Sequence, residues 1–107
     1  MSDVLLTTTD SVPGRGVTRV FGLVDGASAF VPGWEAGLRG ALTTISTGSF
    51  EAYEQVMGRA RALARKQLIE RAAGIGADAV VGLRYDVSPI GEALVEVLVY
   101  GTAVSLD

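Results

Sequence analysis

The chain has 107 residues, a net charge of −3 and a sequence pI near 4.8. It contains no cysteine and no histidine, which excludes disulfides, cysteine nucleophiles, Ser-His-Asp triads, histidine acid–base pairs and the usual zinc sites. Hydrophobic residues make up 49% of it and mean hydropathy is +0.38, more apolar material than a small monomer easily hides, so a second copy is expected to cover part of it.

The acidic balance argues against a nucleic-acid partner, because neutralising phosphates takes an excess of bases. Met1 to Leu6 offers no basic segment and no long apolar one, so no signal peptide is expected. No apolar run approaches the ~20 residues of a membrane-spanning helix. The expectation is a single cytoplasmic domain over 1–107, without enzymatic activity, cofactor, membrane or nucleic-acid partner.

In chain order, Val4 to Thr9 reads as a strand, and Pro13-Gly14 as a turn. Residues 17–30 read as a long strand, with Gly22 and Gly26 marking a bulge or bend. Trp34, Leu38, Ala41, Leu42 and Ile45 recur at helical spacing, predicting a short helix over 33–45. A long helix is predicted over 50–73, with Phe50, Tyr53, Met57, Ala60, Ala64, Leu68 and Ala72 as its apolar stripe. Gly74 or Gly76 is expected to close it in the left-handed conformation. Residues 78–88 and 92–105 read as a hairpin around Ser88-Pro89-Ile90-Gly91. The last strand is apolar on both faces: Val95, Val97 and Val99 on one, Leu94, Leu98 and Tyr100 on the other. Helices cover one face of such a sheet, so the other is expected to pack on a neighbouring subunit, and Val97→Asp is expected to disrupt that assembly.

The order is β-β-α-α-β-β, an α+β fold with an antiparallel sheet, one long helix and one short. Four motifs stand within it: Thr7-Thr8-Thr9-Asp10 before Pro13-Gly14, Ala60-Arg61, Gly76 through Asp86, and Tyr100-Gly101-Thr102-Ala103-Val104. In these the chain resembles the YbjQ-like family of small bacterial and archaeal proteins of unknown function. The resemblance implies a dodecin-like subunit in a ring-shaped homopentamer, and carries a heavy-metal-binding label. The residues disagree with that label. Soft metals take thiolate, thioether or imidazole ligands, and only Met1 and Met57 are present. Relatives also have Gly-Gly-Glu before the long helix, where this chain has Thr47-Gly48-Ser49, and a more basic stretch in place of Val31 to Glu35.

The candidate ligand site joins Arg84, Asp86 and Ser88, a polar line on one strand face, with Thr9 and Asp10. One reading is an anion or small-ligand site at a subunit interface. The other is a structural network in which Arg84 lies opposite Glu96 if residues 88 and 92 pair. Thr7, Thr8 and Thr9 suit a strand and Asp10 the turn after it, against a hydroxyl-lined pocket. Arg59, Arg61, Arg65, Lys66 and Arg71 read as a solvated helix face with a Lys66–Glu70 pair, against an anion-facing surface. Gly14-Arg15-Gly16 precedes a strand and is no phosphate loop. Asp10, Asp25 and Asp86 lack the spacing of a hard-cation loop. Trp34 reads as core or interface, against stacking on a flat aromatic ligand such as a flavin.

Overall fold

The structure, a computed structural model, describes residues 3–30, 50–90 and 94–107. Its elements are β1 (Leu5–Leu6), β2 (Val17–Phe30), α1 (Phe50–Gly74), β3 (Ala79–Ile90) and β4 (Leu94–Leu106). The predicted helix over 33–45, with Trp34, lies outside the described residues, as do the Thr47-Gly48-Ser49 segment and the side chains of Phe50 and Tyr53.

The strands form one sheet in the order β1-β3-β4-β2. It is mixed rather than antiparallel, because β1 runs parallel to β3. Parallel neighbours need a long crossover, and here the chain supplies β2 and α1 between them. β1 is also shorter than the predicted 4–9. Thr7 Oγ1 accepts from Thr9 N–H at 3.2 Å, and Thr9 Oγ1 donates to Ser11 O at 2.6 Å. These local bonds give the backbone an alternative to the ladder.

β3 and β4 pair with Ser88 opposite Glu96, and Arg84 opposite Tyr100 rather than Glu96. The expected register fails because β3 runs on through Pro89 to Ile90, which pairs with Leu94; residues 91–93 lie outside the described residues. Pro89 fits a strand here because β1 pairs with β3 only at Ala79 and Val80, leaving Pro89 on an edge among the described residues.

α1 lays Met57, Ala60, Ala64, Leu68 and Ala72 on one face of the sheet, against Val24, Val80, Leu83, Val97, Val99 and Ala103. At the helix end Gly76, at φ +84°, takes the left-handed position. Gly76 N–H bonds Ala73 O at 3.0 Å and Ala77 N–H bonds Ala72 O at 3.0 Å, the paired closure that satisfies the last carbonyls. On the opposite sheet face Ala79, Val81, Val104 and Leu106 form a second cluster, against which Val12 packs. β4 is therefore apolar on both faces, as its sequence pattern requires. Val97 belongs to the helix-side core, so Val97→Asp would break the fold instead of reporting on the outer face.

Of the two glycines expected to bend β2, Gly22 does so: the register shifts between Val20 and Gly22, and its φ is +114°. Gly26 serves close packing instead. A Cβ there would stand 2.0 Å from Ala64 O and 2.8 Å from Leu68 N, backbone atoms of α1 that cannot step aside. Gly26→Ala is therefore expected to lower unfolding free energy by roughly 2 kcal/mol or more in urea titrations. Gly74→Ala, with open space around the added methyl, should leave stability unchanged or raise it by up to about 1 kcal/mol.

Candidate functional site

The centre of the candidate site is a bulge in β3. Pairing with β4 shifts register between Val81 and Arg84, and Gly82 adopts φ +62°. This turns successive donors onto the Thr7–Thr9 backbone. Gly82 N–H bonds Thr9 O at 2.8 Å, Leu83 N–H bonds Thr7 O at 3.0 Å, and Arg84 Nη1 bonds Thr8 O at 3.0 Å. Arg84 Nη1 also donates to Leu83 O at 2.8 Å. The arginine is thus fixed through one nitrogen by two carbonyls. Its Nε and Nη2 make no hydrogen bond among the described residues, and the residue is exposed.

Of the five site residues expected from sequence, the structure joins Arg84 to the Thr7–Thr9 turn. Asp10 also lies nearby, its Oδ1 3.9 Å from where a Cβ on Gly82 would stand. Thr9 engages its hydroxyl locally, 2.7 Å from Thr7 Oγ1 and donating to Ser11 O. Asp86 and Ser88 sit further along the strand and meet each other at 3.5 Å. Arg84 makes no ion pair with Asp86 among the described residues. A fixed guanidinium can hold an anion through charge-assisted bonds. Nothing here pairs a nucleophile with a base.

Sequence reasoning missed a second polar cluster, on the edge of β2. Gln67 Oε1 accepts from Ala27 N–H at 2.8 Å. Arg71 Nη1 donates to Asp25 O at 3.0 Å and pairs with Asp25 Oδ1 at 2.7 Å. One helical turn apart on α1, the two side chains occupy strand-edge groups that would otherwise invite another strand. The i,i+4 spacing was readable; its target was not, because it depends on α1 lying along β2. Lys66 makes no pair with Glu70, contrary to the sequence expectation; both face solvent, where such a pair is worth little.

A family model described as "Putative heavy-metal-binding" matches residues 4–107. This chain belongs to the YbjQ-like family. A UPF0145 protein of Thermoplasma acidophilum is 35% identical over all of this chain and 90% of its own length. Another, from Thermotoga petrophila, is 36% identical over 97% of this chain and 98% of its own. A crystal structure of a DUF74-family protein of unknown function from Pediococcus pentosaceus matches with a TM-score of 0.60 at 19% identity. It covers 97% of this chain and 98% of that one, a likeness of fold. The heavy-metal description of the YbjQ-like family does not fit the donors present in this member. The sequence has no thiolate and no imidazole, and Met57 is buried in the core. Among the described residues no three acidic side chains gather as a metal site, and no helix is long and apolar enough to cross a membrane.

The bulge makes a specific stability prediction. Gly82→Ala forces an L side chain into a left-handed backbone and is expected to cost about 1–2 kcal/mol in denaturant unfolding. Amide exchange at Leu83 should speed up with it, as the Thr7 bond loosens.

Proposed function

We propose that this YbjQ-like protein is a non-enzymatic, ring-forming homo-oligomer, a pentamer of dodecin-like subunits, that binds a small anionic ligand at its subunit junctions. The observation that carries the reading is the outer sheet face. Val12 covers it at the end holding Val81, Val104 and Leu106. Beyond that cover, Leu23 is 73% exposed, Ile90 46% and Tyr100 37%. Burying the apolar area they still expose is favourable, at roughly 25 cal/mol per Å², which favours a protein partner over water. Arg84 lies on this same face, opposite Tyr100, so a subunit packed there would desolvate the free side of its guanidinium. Charge-assisted bonds to an anion strengthen in such a setting.

The alternative is an interaction module without a ligand, with Arg84 purely structural. Its two carbonyl bonds favour that reading. Native mass spectrometry separates the two by reporting subunit number and any retained small mass. The expected result is a closed oligomer that binds inorganic phosphate, and binds it at least tenfold more weakly in Arg84→Gln. A monomer would refute the ring, and equal phosphate binding by Arg84→Gln would refute the anion site. Leu23→Asp, at an exposed position, should shift sedimentation toward smaller species without loss of helical circular dichroism.

A further inference from the structure

The segment Val4 to Val12 is held differently from the rest of the chain. Val4 and Leu6 pack against the helix-side core and Val12 against the cluster on the opposite face, so the segment crosses the β3 edge from one side of the sheet to the other. Four backbone bonds fasten it there: Leu5 N–H to Asp78 O, Thr7 N–H to Val80 O, Gly82 N–H to Thr9 O and Leu83 N–H to Thr7 O, at 2.8–3.0 Å. Yet no residue from Asp3 to Gly16 is fully buried, whereas Val80 of β3 and Val97, Val99 and Val104 of β4 are 0–1% exposed. The segment ends in a turn, where Arg15 N–H bonds Val12 O at 3.1 Å and Gly14 takes φ +79°. Past the turn the chain is anchored again, by Arg15 Nε on Asp107 O at 3.0 Å and Gly16 N–H on Asp107 Oδ1 at 2.8 Å.

We infer that Val4 to Val12 is a strap that opens as one unit about the Pro13-Gly14 turn, that Arg84 latches it, and that an anion on Arg84 holds it shut. Segments with few buried side chains and exposed hydrogen bonds open at free energies well below that of global unfolding. The turn gives the opening a definite limit, because the bonds to Asp107 keep the chain beyond it in place. Arg84 sets how often it happens. Nη1 places its two hydrogens on Thr8 O and Leu83 O, and so ties the strap to β3 by a side chain as well as by the ladder. The same two bonds fix the plane of the guanidinium while the strap is closed. Nε–H and one Nη2–H are then a parallel pair able to grip two oxygens of one anion. With the strap open, Nη1 keeps only Leu83 O and that plane is no longer fixed. A ligand that prefers the closed arrangement shifts the equilibrium toward it, and closure tightens the ligand by the same factor. The coupling rests on the anion reading above; the strap itself does not.

Amide exchange on the full chain, resolved by residue, tests each part. In the wild type Leu5, Thr7, Gly82 and Leu83 should share one opening, roughly tenfold or more as frequent as that of Val97 and Val99, and far less dependent on urea. Arg84→Gln should speed the four by about tenfold or more with helical circular dichroism retained. Val12→Ala, which loosens the strap without touching the guanidinium, should speed them severalfold. Inorganic phosphate at about ten times its dissociation constant should slow the four about tenfold in the wild type and in Val12→Ala, but not in Arg84→Gln. Four amides that exchange only together with Val97 and Val99, or at unrelated rates, overturn the strap. An unchanged rate in Arg84→Gln overturns the latch. Phosphate that binds without slowing the four overturns the coupling and leaves the anion reading standing. A wild type that binds no phosphate overturns the anion reading and the coupling together, and leaves the strap standing on its four amides.

Discussion

The approach of α1 to the β2 backbone at Gly26 is the constraint on which the rest depends. There is no room for even a methyl group between strand and helix at that point. The helix therefore meets the sheet with a stripe of small side chains, Ala60, Ala64 and Ala72, set around Leu68. The thin layer this makes is closed from the other side by Val97, Val99 and Ala103 of β4. The same closeness brings Gln67 and Arg71 within reach of the β2 edge. Core packing and edge protection are thus two results of one contact.

β4 does most to organise the sheet. It pairs with both β2 and β3, and its alternate residues serve two separate apolar clusters. This explains why it is hydrophobic throughout while β2, at the edge, carries Arg19, Asp25 and Ser28. Arg19 still finds an apolar neighbour, stacking 4.6 Å from the Phe21 ring centre.

Much of this was legible in the residues. The bounds of β2, the α1 stripe from Met57 to Ala72, the left-handed Gly76 and the two-faced β4 all follow from local pattern, and local pattern is what periodicity and glycine report. The unreadable parts depend on which segment comes to lie beside which. Nothing in Leu5-Leu6 says that it joins β3 in parallel. Pro89 looked like a turn residue because a proline is a legitimate strand residue only where the neighbouring edge is vacant. The site shows the same division. Arg84 was singled out, but its partner proved to be the Thr8 carbonyl and not Glu96, because a four-residue change in register moved Glu96 to Ser88. A strand's composition constrains which face it buries far more tightly than it constrains pairing along its length.

The β2–β4 ladder also bears on how the chain reaches this state. It joins Val17 to Leu106 and Phe30 to Val95, so almost all of its pairs span most of the sequence. The entropy of closing such a loop is lost before any of those pairs forms, and chains dominated by distant pairings fold slowly. During synthesis β2 emerges long before its only strand partner among the described residues. Until β4 follows, Val20, Phe21, Leu23 and Val24 stand in an unpaired segment. Once β4 has paired, the bulges at Val17–Arg19 and Val20–Gly22 kink the finished β2, and a kinked edge is a poor template for pairing with another chain still unfinished.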